Sequence, residues 1–215
     1  MVAREFLPAI RKTIEVNEGG KPYALGFAKK ANSGASFGVM QGDMHVQPDA
    51  RDTMRKVLAA GGVAQAAIDR LVTVLTPALP DGNPLSDEDT ALVNRALAAA
   101  TGRPLVDAMD ERIMAGILKG VDGCIAAASA RNVAIAPLAL LYIAPWINMT
   151  GAPTTLRKWL GGTMVDGFPQ PPAPPIVSGD QLAAYLQASK YFRDNPKNFK
   201  HFTESVNAGA KLLPA

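Results

Sequence analysis

The chain has 215 residues, of which 48% are hydrophobic and 19% are charged, and its formal net charge is +3 at pH 7. This composition excludes a disordered chain, because the apolar content is enough for a buried core. The scattered Lys and Arg residues form no basic stripe of the kind that nucleic-acid-binding proteins carry. Cys124 is the only cysteine and His45 and His201 are the only histidines, so we predict no intrachain disulfide, no metal site and no cofactor.

Neither the N-terminus nor the most apolar run predicts a membrane-targeted protein. The first fifteen residues are charged and lack the unbroken apolar stretch of a signal peptide. Residues 135–147 are too short for a bilayer span and contain Pro137 and Pro145. We expect a soluble monomer that is made in the cytoplasm without a signal peptide, and that would be exported only by a non-classical route.

The first predicted element is a helix over residues 3–18, because Phe6, Ile10 and Ile14 recur at four-residue spacing. Gly19 and Gly20 supply the left-handed cap that ends such a helix. Glu18 is therefore expected at the C-terminal end of the helix, where the negative end of the helix dipole disfavours the anionic form of a carboxylate.

The helical period is absent between residues 21 and 44. Strands are predicted over residues 23–27 and 36–40, joined by a loop that contains Asn32, Ser33 and Gly34. We interpret this stretch as a small β-hairpin lobe.

Helices are predicted for most of the remaining chain. The predicted helices cover residues 48–60, 63–75, 86–100, 104–120, a further stretch from there to 131, and residues 135–148, 154–160, 180–192 and 196–212. The helix at 135–148 is apolar on nearly every side, which is typical of a central buried helix. We predict a catalytic domain over 1–167, a Pro-rich connector over 168–178, and a C-terminal helical extension over 179–215 that packs on the main domain.

Glu18, Ser36, Gln41 and Asp43 are the one compact set of carboxylates and polar groups outside the predicted helices. A glycosidase requires such a set, because one carboxylic acid protonates the leaving glycosidic oxygen and a second carboxylate activates water or stabilises the transition state. We predict Glu18 as the acid and Asp43 as the second carboxylate. Glu15 lies one helical turn earlier and is the competing candidate for the acid; surface charge alone is the other interpretation of these carboxylates.

A first helix that ends in Glu-Gly, followed by a Tyr-containing β lobe and then by helices, resembles the lysozyme superfamily. The segment IEVNEGGKPYALGF, residues 14–27, is similar to the opening of phage-type lysozymes, whose acid is the Glu directly before Gly. The order of Glu18, Ser36 and Asp43 resembles that in phage-type and pesticin-like muramidases. The resemblance implies that Ser36 and Asp43 hold the attacking water, as in an inverting hydrolase.

Two further segments carry a resemblance. Within SFGVMQGD, residues 36–43, the run Gly38–Gln41 is similar to the Gly-Leu-Met-Gln segment of lytic transglycosylases. The segment WINMTGAPTTLRKWL, residues 146–160, resembles the apolar helix, Asn and Gly turn that close the cleft of phage lysozymes.

Aromatic and amide side chains are the candidates for sugar binding, since aromatic faces stack on sugar rings and amides hydrogen-bond to them. The candidates are Tyr23, Phe37, Gln41, Tyr142, Trp146, Asn148 and Trp159. A place in the hydrophobic core is the competing interpretation for each aromatic ring.

The sequence thus predicts an α+β, predominantly helical, lysozyme-like fold with a small β-hairpin lobe. The expected function is a glycoside hydrolase that cleaves β-1,4 bonds of peptidoglycan. The alternatives are a lytic transglycosylase, a chitosanase-like hydrolase of another amino-sugar polymer, and a non-catalytic wall-binding or phage structural protein on the same scaffold.

Overall fold

The computed structural model describes residues 1–29, 32–151 and 154–214. Helices dominate these residues and are accompanied by two small sheets, which confirms the predicted α+β, mostly helical class. None of the helices in these ranges combines the length and the apolar composition that crossing a membrane requires.

The helices, in chain order, are α1 (Leu7–Glu18), α2 (Pro48–Ala60), α3 (Gln65–Leu75), α4 (Asp87–Ala98), α5 (Arg103–Ser129), α6 (Pro137–Thr150), α7 (Thr154–Leu160), α8 (Gly179–Ala188), α9 (Lys190–Asp194) and α10 (Pro196–Ala210). A short 3-10 turn, Arg4–Phe6, precedes α1. The strands are β1 (Gly26–Phe27), β2 (Ala35–Phe37), β3 (Gly42–Asp43), β4 (Ala134–Ile135) and β5 (Ile176–Val177).

The chain forms two compact units. We call Glu18–Met114 the mid-chain unit, and Met1–Asn17 together with Ala115–Ala215 the terminal unit. Helix α5 contributes residues to both units. The partition predicted from the sequence, at 167/168 and 178/179, divides the chain at other positions.

The mid-chain unit packs a small antiparallel sheet, the helices α2, α3 and α4 and the first part of α5 around one hydrophobic core. The sheet has the order β1-β2-β3, so the predicted two-stranded hairpin is extended by a third short strand. Helix α2 packs against α3 and α4. The core contains, among other side chains, Phe37, Met44, Met54, Leu58, Leu71, Leu75, Leu97 and Met109, all fully buried. This core supports the inner face of the sheet.

The terminal unit is built around α6, which is buried along most of its length, as its composition predicts. Helices α8 and α10 pack against α6. The ring of Phe192 lies at the centre of an aromatic cluster, with ring centroids 5.2 Å from Phe199, 5.2 Å from Phe202 and 5.6 Å from Trp146. The aromatic residues of the C-terminal helices therefore form part of the core of this unit.

The Pro-rich segment is docked within the terminal unit. Strand β5 pairs in parallel with β4, through Ala134 with Ile176 and Ile135 with Val177. The indole Nε1 of Trp159 donates a hydrogen bond of 2.8 Å to the carbonyl of Pro169, and Arg131 donates one of 3.1 Å to the carbonyl of Pro172. Side chains thus satisfy backbone carbonyls of a segment whose prolines donate no hydrogen bonds.

Two of the predicted helix boundaries are wrong. Residues 104–131 were expected to form two helices divided near Gly120, but α5 is continuous through Gly116, Gly120 and Gly123. A Cβ on Gly120 would lie 3.0 Å from the side chain of Ile147, so this glycine allows close helix packing instead of ending the helix. Residues 180–192 were expected as one helix, but Ser189 is extended and divides them into α8 and α9.

Two glycines of α5 make a matched test of this packing. We expect Gly120→Val to lower the free energy of unfolding by about 1–3 kcal/mol, because the added methyl groups would overlap Ile147. Gly116→Ala has no atom within 4 Å of the added Cβ, so it should raise stability by up to about 1 kcal/mol through helix propensity. Urea unfolding of both variants measures this difference, and equal effects would contradict the packing role of Gly120.

Candidate functional site

The candidate site is built on the mid-chain sheet, where Gly26, Ser36 and Asp43 are aligned in one row. Gly26 pairs with Ser36 across β1 and β2, and Ser36 pairs with Asp43 across β2 and β3. Directly opposed residues of antiparallel strands present their side chains on the same face, with Cβ atoms about 5 Å apart. The register therefore brings together two of the residues predicted to be catalytic, Ser36 and Asp43.

Gln41 extends its side chain over this row and hydrogen-bonds to Ser36. The Ser36 hydroxyl donates to Oε1 of Gln41 at 2.8 Å, and Nε2 of Gln41 donates to the carbonyl of Gly38 at 2.8 Å. A Cβ on Gly26 would lie 3.0 Å from the Gln41 amide oxygen and 3.2 Å from the Ser36 hydroxyl. The space that a larger residue would fill at position 26 thus holds the Ser36–Gln41 pair.

The same amide lies against the chain just after α1. A Cβ on Gly20 would clash with Nε2 of Gln41, so the backbone two residues beyond Glu18 runs directly past this amide. Gly19 has a φ of +60°, the left-handed conformation that ends the helix as predicted. Glu18, which is half-buried, is the last residue of α1. The helix end that carries the predicted acid therefore adjoins the Ser36–Gln41 pair through Gly20.

The Asp43 carboxylate accepts three hydrogen bonds from its own neighbourhood. Oδ1 accepts from the backbone N–H groups of Gly34 at 3.0 Å and His45 at 2.7 Å, and Oδ2 accepts from the Ser33 hydroxyl at 2.6 Å. These bonds hold the loop before β2 against the turn after β3. Since a carboxylate oxygen has two acceptor sites, Oδ1 is saturated and Oδ2 retains one site.

A buried carboxylate of α5 fixes the turn that carries Gln41. Asp110 is 2% exposed, and its carboxylate oxygens accept from the backbone N–H groups of Val39 at 2.8 Å and Met40 at 3.0 Å. Gly38 has a φ of +85°, and a Cβ there would lie 2.5 Å from Oδ1 of Asp110. Position 38 therefore requires glycine both for its backbone conformation and for the approach of the carboxylate.

Asp110 is not among the site residues predicted from the sequence, although the sequence contains one signal for it. Asp110 follows Met109 and lies one turn after Val106, so a charged residue interrupts the buried side of α5. A carboxylate is almost never buried without partners. The sequence does not reveal that the partners are backbone groups some seventy residues earlier in the chain.

Gln41 itself has a backbone conformation that side chains rarely adopt, with a φ of +51°. Such conformations cost on the order of 1–3 kcal/mol and concentrate at functional sites, where the surrounding structure enforces them. The hydrogen bonds of the Gln41 amide and the anchored turn provide that enforcement here. In this conformation the Gln41 amide lies against Ser36 and Gly20.

Tyr23, a predicted sugar-binding residue of the same unit, is engaged with α5. Its hydroxyl donates a hydrogen bond of 2.8 Å to Asp107, and this bond to a carboxylate raises the pKa of Tyr23. The guanidinium of Arg103 lies 5.0 Å from the centre of the ring, in a cation–π contact. One face of the ring is thus covered by Arg103.

The remaining predicted binding residues are either buried in the core of the mid-chain unit or belong to the terminal unit. Phe37 is fully buried in the mid-chain core, so its ring has no surface for a sugar. Tyr142, Trp146, Asn148 and Trp159 belong to the terminal unit. Tyr142 is 6% exposed and packs on Phe202, and Trp159 is 1% exposed. Asn148 and Trp146 are half-buried on α6.

Cys124 has the properties of a core residue. It is fully buried in the terminal unit, and burial raises the pKa of its thiol to about 11. The nucleophilic thiolate is therefore scarce at neutral pH. In the described part of the chain, no three His, Cys, Asp or Glu side chains are grouped so that they could hold a metal ion.

The anchoring role of Asp110 leads to a stability prediction. Asp110→Asn keeps the shape of the side chain but turns an NH₂ group towards a backbone N–H, so we expect the free energy of unfolding to fall by about 2–4 kcal/mol. Asp107→Asn, one turn earlier on the exposed side of α5, is the matched control and should change stability much less. Chemical unfolding of both variants measures the difference; equal losses would show that the Asp110 hydrogen bonds do not hold the turn.

Comparisons of the chain with protein-family models, with curated proteins and with solved structures find no match. The geometry of Ser36, Gln41, Asp43 and the end of α1 is therefore the basis for assigning a function.

Proposed function

We propose that this chain is a lysozyme-like glycoside hydrolase that cleaves β-1,4 bonds between the amino sugars of peptidoglycan. The observation that carries the proposal is the approach of the Ser36–Gln41 pair to Gly20, two residues after Glu18. The backbone just after the helix end that carries Glu18 thus runs past a rigid hydroxyl and a rigid amide, which are groups that can bind sugar hydroxyls.

Glu18 would act as the general acid. A catalytic acid must hold its proton near neutral pH until the glycosidic oxygen accepts it. Glu18 is half-buried and lies at the C-terminal end of α1, where the negative end of the helix dipole is located. Transfer of the proton to the leaving oxygen breaks the bond from that oxygen to the anomeric carbon, and positive charge develops on the sugar ring.

Asp43 and Ser36 would position and activate the attacking water. Oδ2 of Asp43 has one acceptor site beyond its bond from Ser33, and this site accepts a proton of the water. The Ser36 hydroxyl donates to Gln41, so its oxygen can accept a hydrogen bond from the water. The water adds to the anomeric carbon from the face opposite the leaving group, and the configuration at that carbon inverts.

The first test is the clearing of a purified peptidoglycan suspension by the wild-type chain and by Glu18→Gln. The amide keeps the size of the side chain but cannot donate a carboxylic proton, so we expect the rate to fall at least about 100-fold. Circular dichroism should show unchanged helix content, since only one partly exposed side chain differs. Equal rates would reject Glu18 as the acid.

Glu15→Gln is the matched control, one turn earlier on the same helix. Glu15 is exposed and its carboxylate lies 3.2 Å from the ammonium group of Lys12, which is an ordinary ion pair on the surface. We expect clearing to be retained within a few-fold. Loss of clearing in Glu15→Gln together with retention in Glu18→Gln would transfer the acid role to Glu15.

A lytic transglycosylase is the second candidate function. It is favoured by the turn Gly38–Gln41, the segment that resembles those enzymes, because Asp110 anchors this turn and directs Gln41 towards the end of α1. In this reaction Glu18 alone acts as acid and then as base. A hydroxyl of the substrate sugar attacks its own anomeric carbon, so the product carries an anhydro ring and lacks the mass of one water.

Asp43→Asn distinguishes the two candidates. The amide oxygen can still accept from Gly34 and His45, so the loop should be retained, while the general base is lost. Hydrolysis predicts a fall in rate of about 100-fold or more and wild-type products with ordinary reducing ends. Mass spectra that show anhydro ends, together with near wild-type activity of Asp43→Asn, would replace hydrolysis by the transglycosylase reaction.

Assays with both peptidoglycan and chitosan distinguish the remaining alternatives, a chitosanase-like hydrolase and a non-catalytic protein. Clearing of chitosan but not of peptidoglycan would identify a chitosanase-like hydrolase. If neither polymer is cleaved by the wild type under any condition, and peptidoglycan is bound equally by Glu18→Gln, the chain is a wall-binding or structural protein on this scaffold.

A further inference from the structure

A pocket of about 270 Å³ lies in the terminal unit, and no catalytic role has been assigned to it. The end of α6, the start of α7, the turn at residues 166–168 and helices α8 and α9 all contribute to its lining. Its volume is slightly below the roughly 300–1,000 Å³ of sites for drug-sized ligands, which suits a single ring rather than an oligosaccharide. All of the lining residues belong to one compact unit.

Aromatic rings form the apolar part of the lining. They come from Trp146, Phe168 and Tyr185. Phe168 and Tyr185 stack with centroids 4.6 Å apart, and Trp146 packs on Phe192 at 5.6 Å and on Tyr191 at 6.4 Å. These contacts fix the rings, so an aromatic surface is available without an ordering cost when a ligand binds.

Charged groups form the polar part of the lining. Lys190 and Arg193 from α9 face the pocket together with Asp166, which leaves one excess positive charge. In the described chain neither cation has an ion-pair partner. The Arg193 guanidinium lies near the 166–168 turn, since a Cβ on Gly167 would be 3.9 Å from its Nη1. The Thr150 and Thr155 hydroxyls complete the lining.

We propose that this pocket binds a sugar residue that bears a carboxylate. The ring would stack on Trp146, as sugar rings do on aromatic faces, and Lys190 and Arg193 would bind the carboxylate. The Thr150 hydroxyl donates to the carbonyl of Trp146 at 2.7 Å, so its oxygen can accept a hydrogen bond from a sugar hydroxyl. The preference for an anion follows from the lining alone, whereas the choice of a sugar rests on the proposed function. N-acetylmuramic acid has this chemistry wherever its lactyl carboxyl carries no peptide; a hexuronic acid has the same combination of ring and carboxylate.

The test follows the indole N–H signals of the full wild-type chain by NMR, since monosaccharide probes contain no glycosidic bond to be cleaved. The probes are N-acetylmuramic acid, glucuronic acid and the neutral sugar N-acetylglucosamine. We expect the Trp146 signal to move and saturate with N-acetylmuramic acid and to respond at least fivefold more weakly to N-acetylglucosamine. The Trp159 indole N–H should stay, because it is hydrogen-bonded to Pro169.

Charge variants make the assignment specific. We expect Arg193→Gln to weaken binding of N-acetylmuramic acid about fivefold, the scale of one exposed ion pair. Lys197→Gln on α10 removes an exposed positive charge outside the pocket and should leave the affinity unchanged. Equal weakening in both variants would mean general attraction to a basic surface and would overturn the proposal.

The sugars also decide the source of the ligand. Equal or tighter binding of glucuronic acid would support the carboxylated-sugar site and assign it to a uronic acid polymer. Equal responses to all three sugars, or no saturable response to any, would overturn the proposal. Because none of the pocket residues belongs to the candidate catalytic site, binding without peptidoglycan clearing would contradict the proposed function and leave the pocket assignment standing.

Discussion

The arrangement of the candidate site depends on one buried carboxylate. Asp110 accepts hydrogen bonds from two successive backbone N–H groups of the turn between β2 and β3, and these bonds are the partners that a buried charge requires. These bonds help to offset the free-energy cost of the left-handed backbone conformation at Gln41. The glycine at position 38 provides the room for the carboxylate, and the hydrogen-bonded amide of Gln41 then spans the distance to Ser36 and to the chain just after α1. Sheet, turn and helix end are thus linked through one side chain of α5.

The anchoring of the turn by Asp110 holds the groups of the proposed reaction in fixed positions. A proton donor and a water-positioning hydroxyl are effective only when they are held in place before the substrate arrives. The Ser36–Gln41 pair is fixed by three constraints, namely the strand register, the anchored turn and the absence of side chains at Gly20 and Gly26. Asp43 has two roles. Its carboxylate holds the loop at residues 33–34 against the backbone of His45, and its Oδ2 retains one acceptor site.

Local signals in the sequence predicted the helical framework well. Pro48 and the pair Gly61–Gly62 gave both ends of α2, and Gly19 ended α1 at Glu18, because these residues act through backbone conformation alone. The prediction of a break near Gly120 was wrong because this glycine allows close packing against Ile147 of α6. The hydrophobic periodicity of one helix does not reveal such a contact. The hairpin-like pattern predicted the pairing of β1 with β2, but not the third strand, which pairs Asp43 with Ser36. The burial of Phe37 and the role of Asp110 arise from contacts distant in sequence.

The most direct measurement of the central claim is a crystal structure of Glu18→Gln with a peptidoglycan tetrasaccharide. The account predicts that one glycosidic oxygen lies within about 3.2 Å of the residue 18 side chain, a distance that permits proton transfer, and that the flanking sugars contact Ser36 and Gln41. A tetrasaccharide bound away from the mid-chain sheet, or a glycosidic bond out of reach of residue 18, would contradict it.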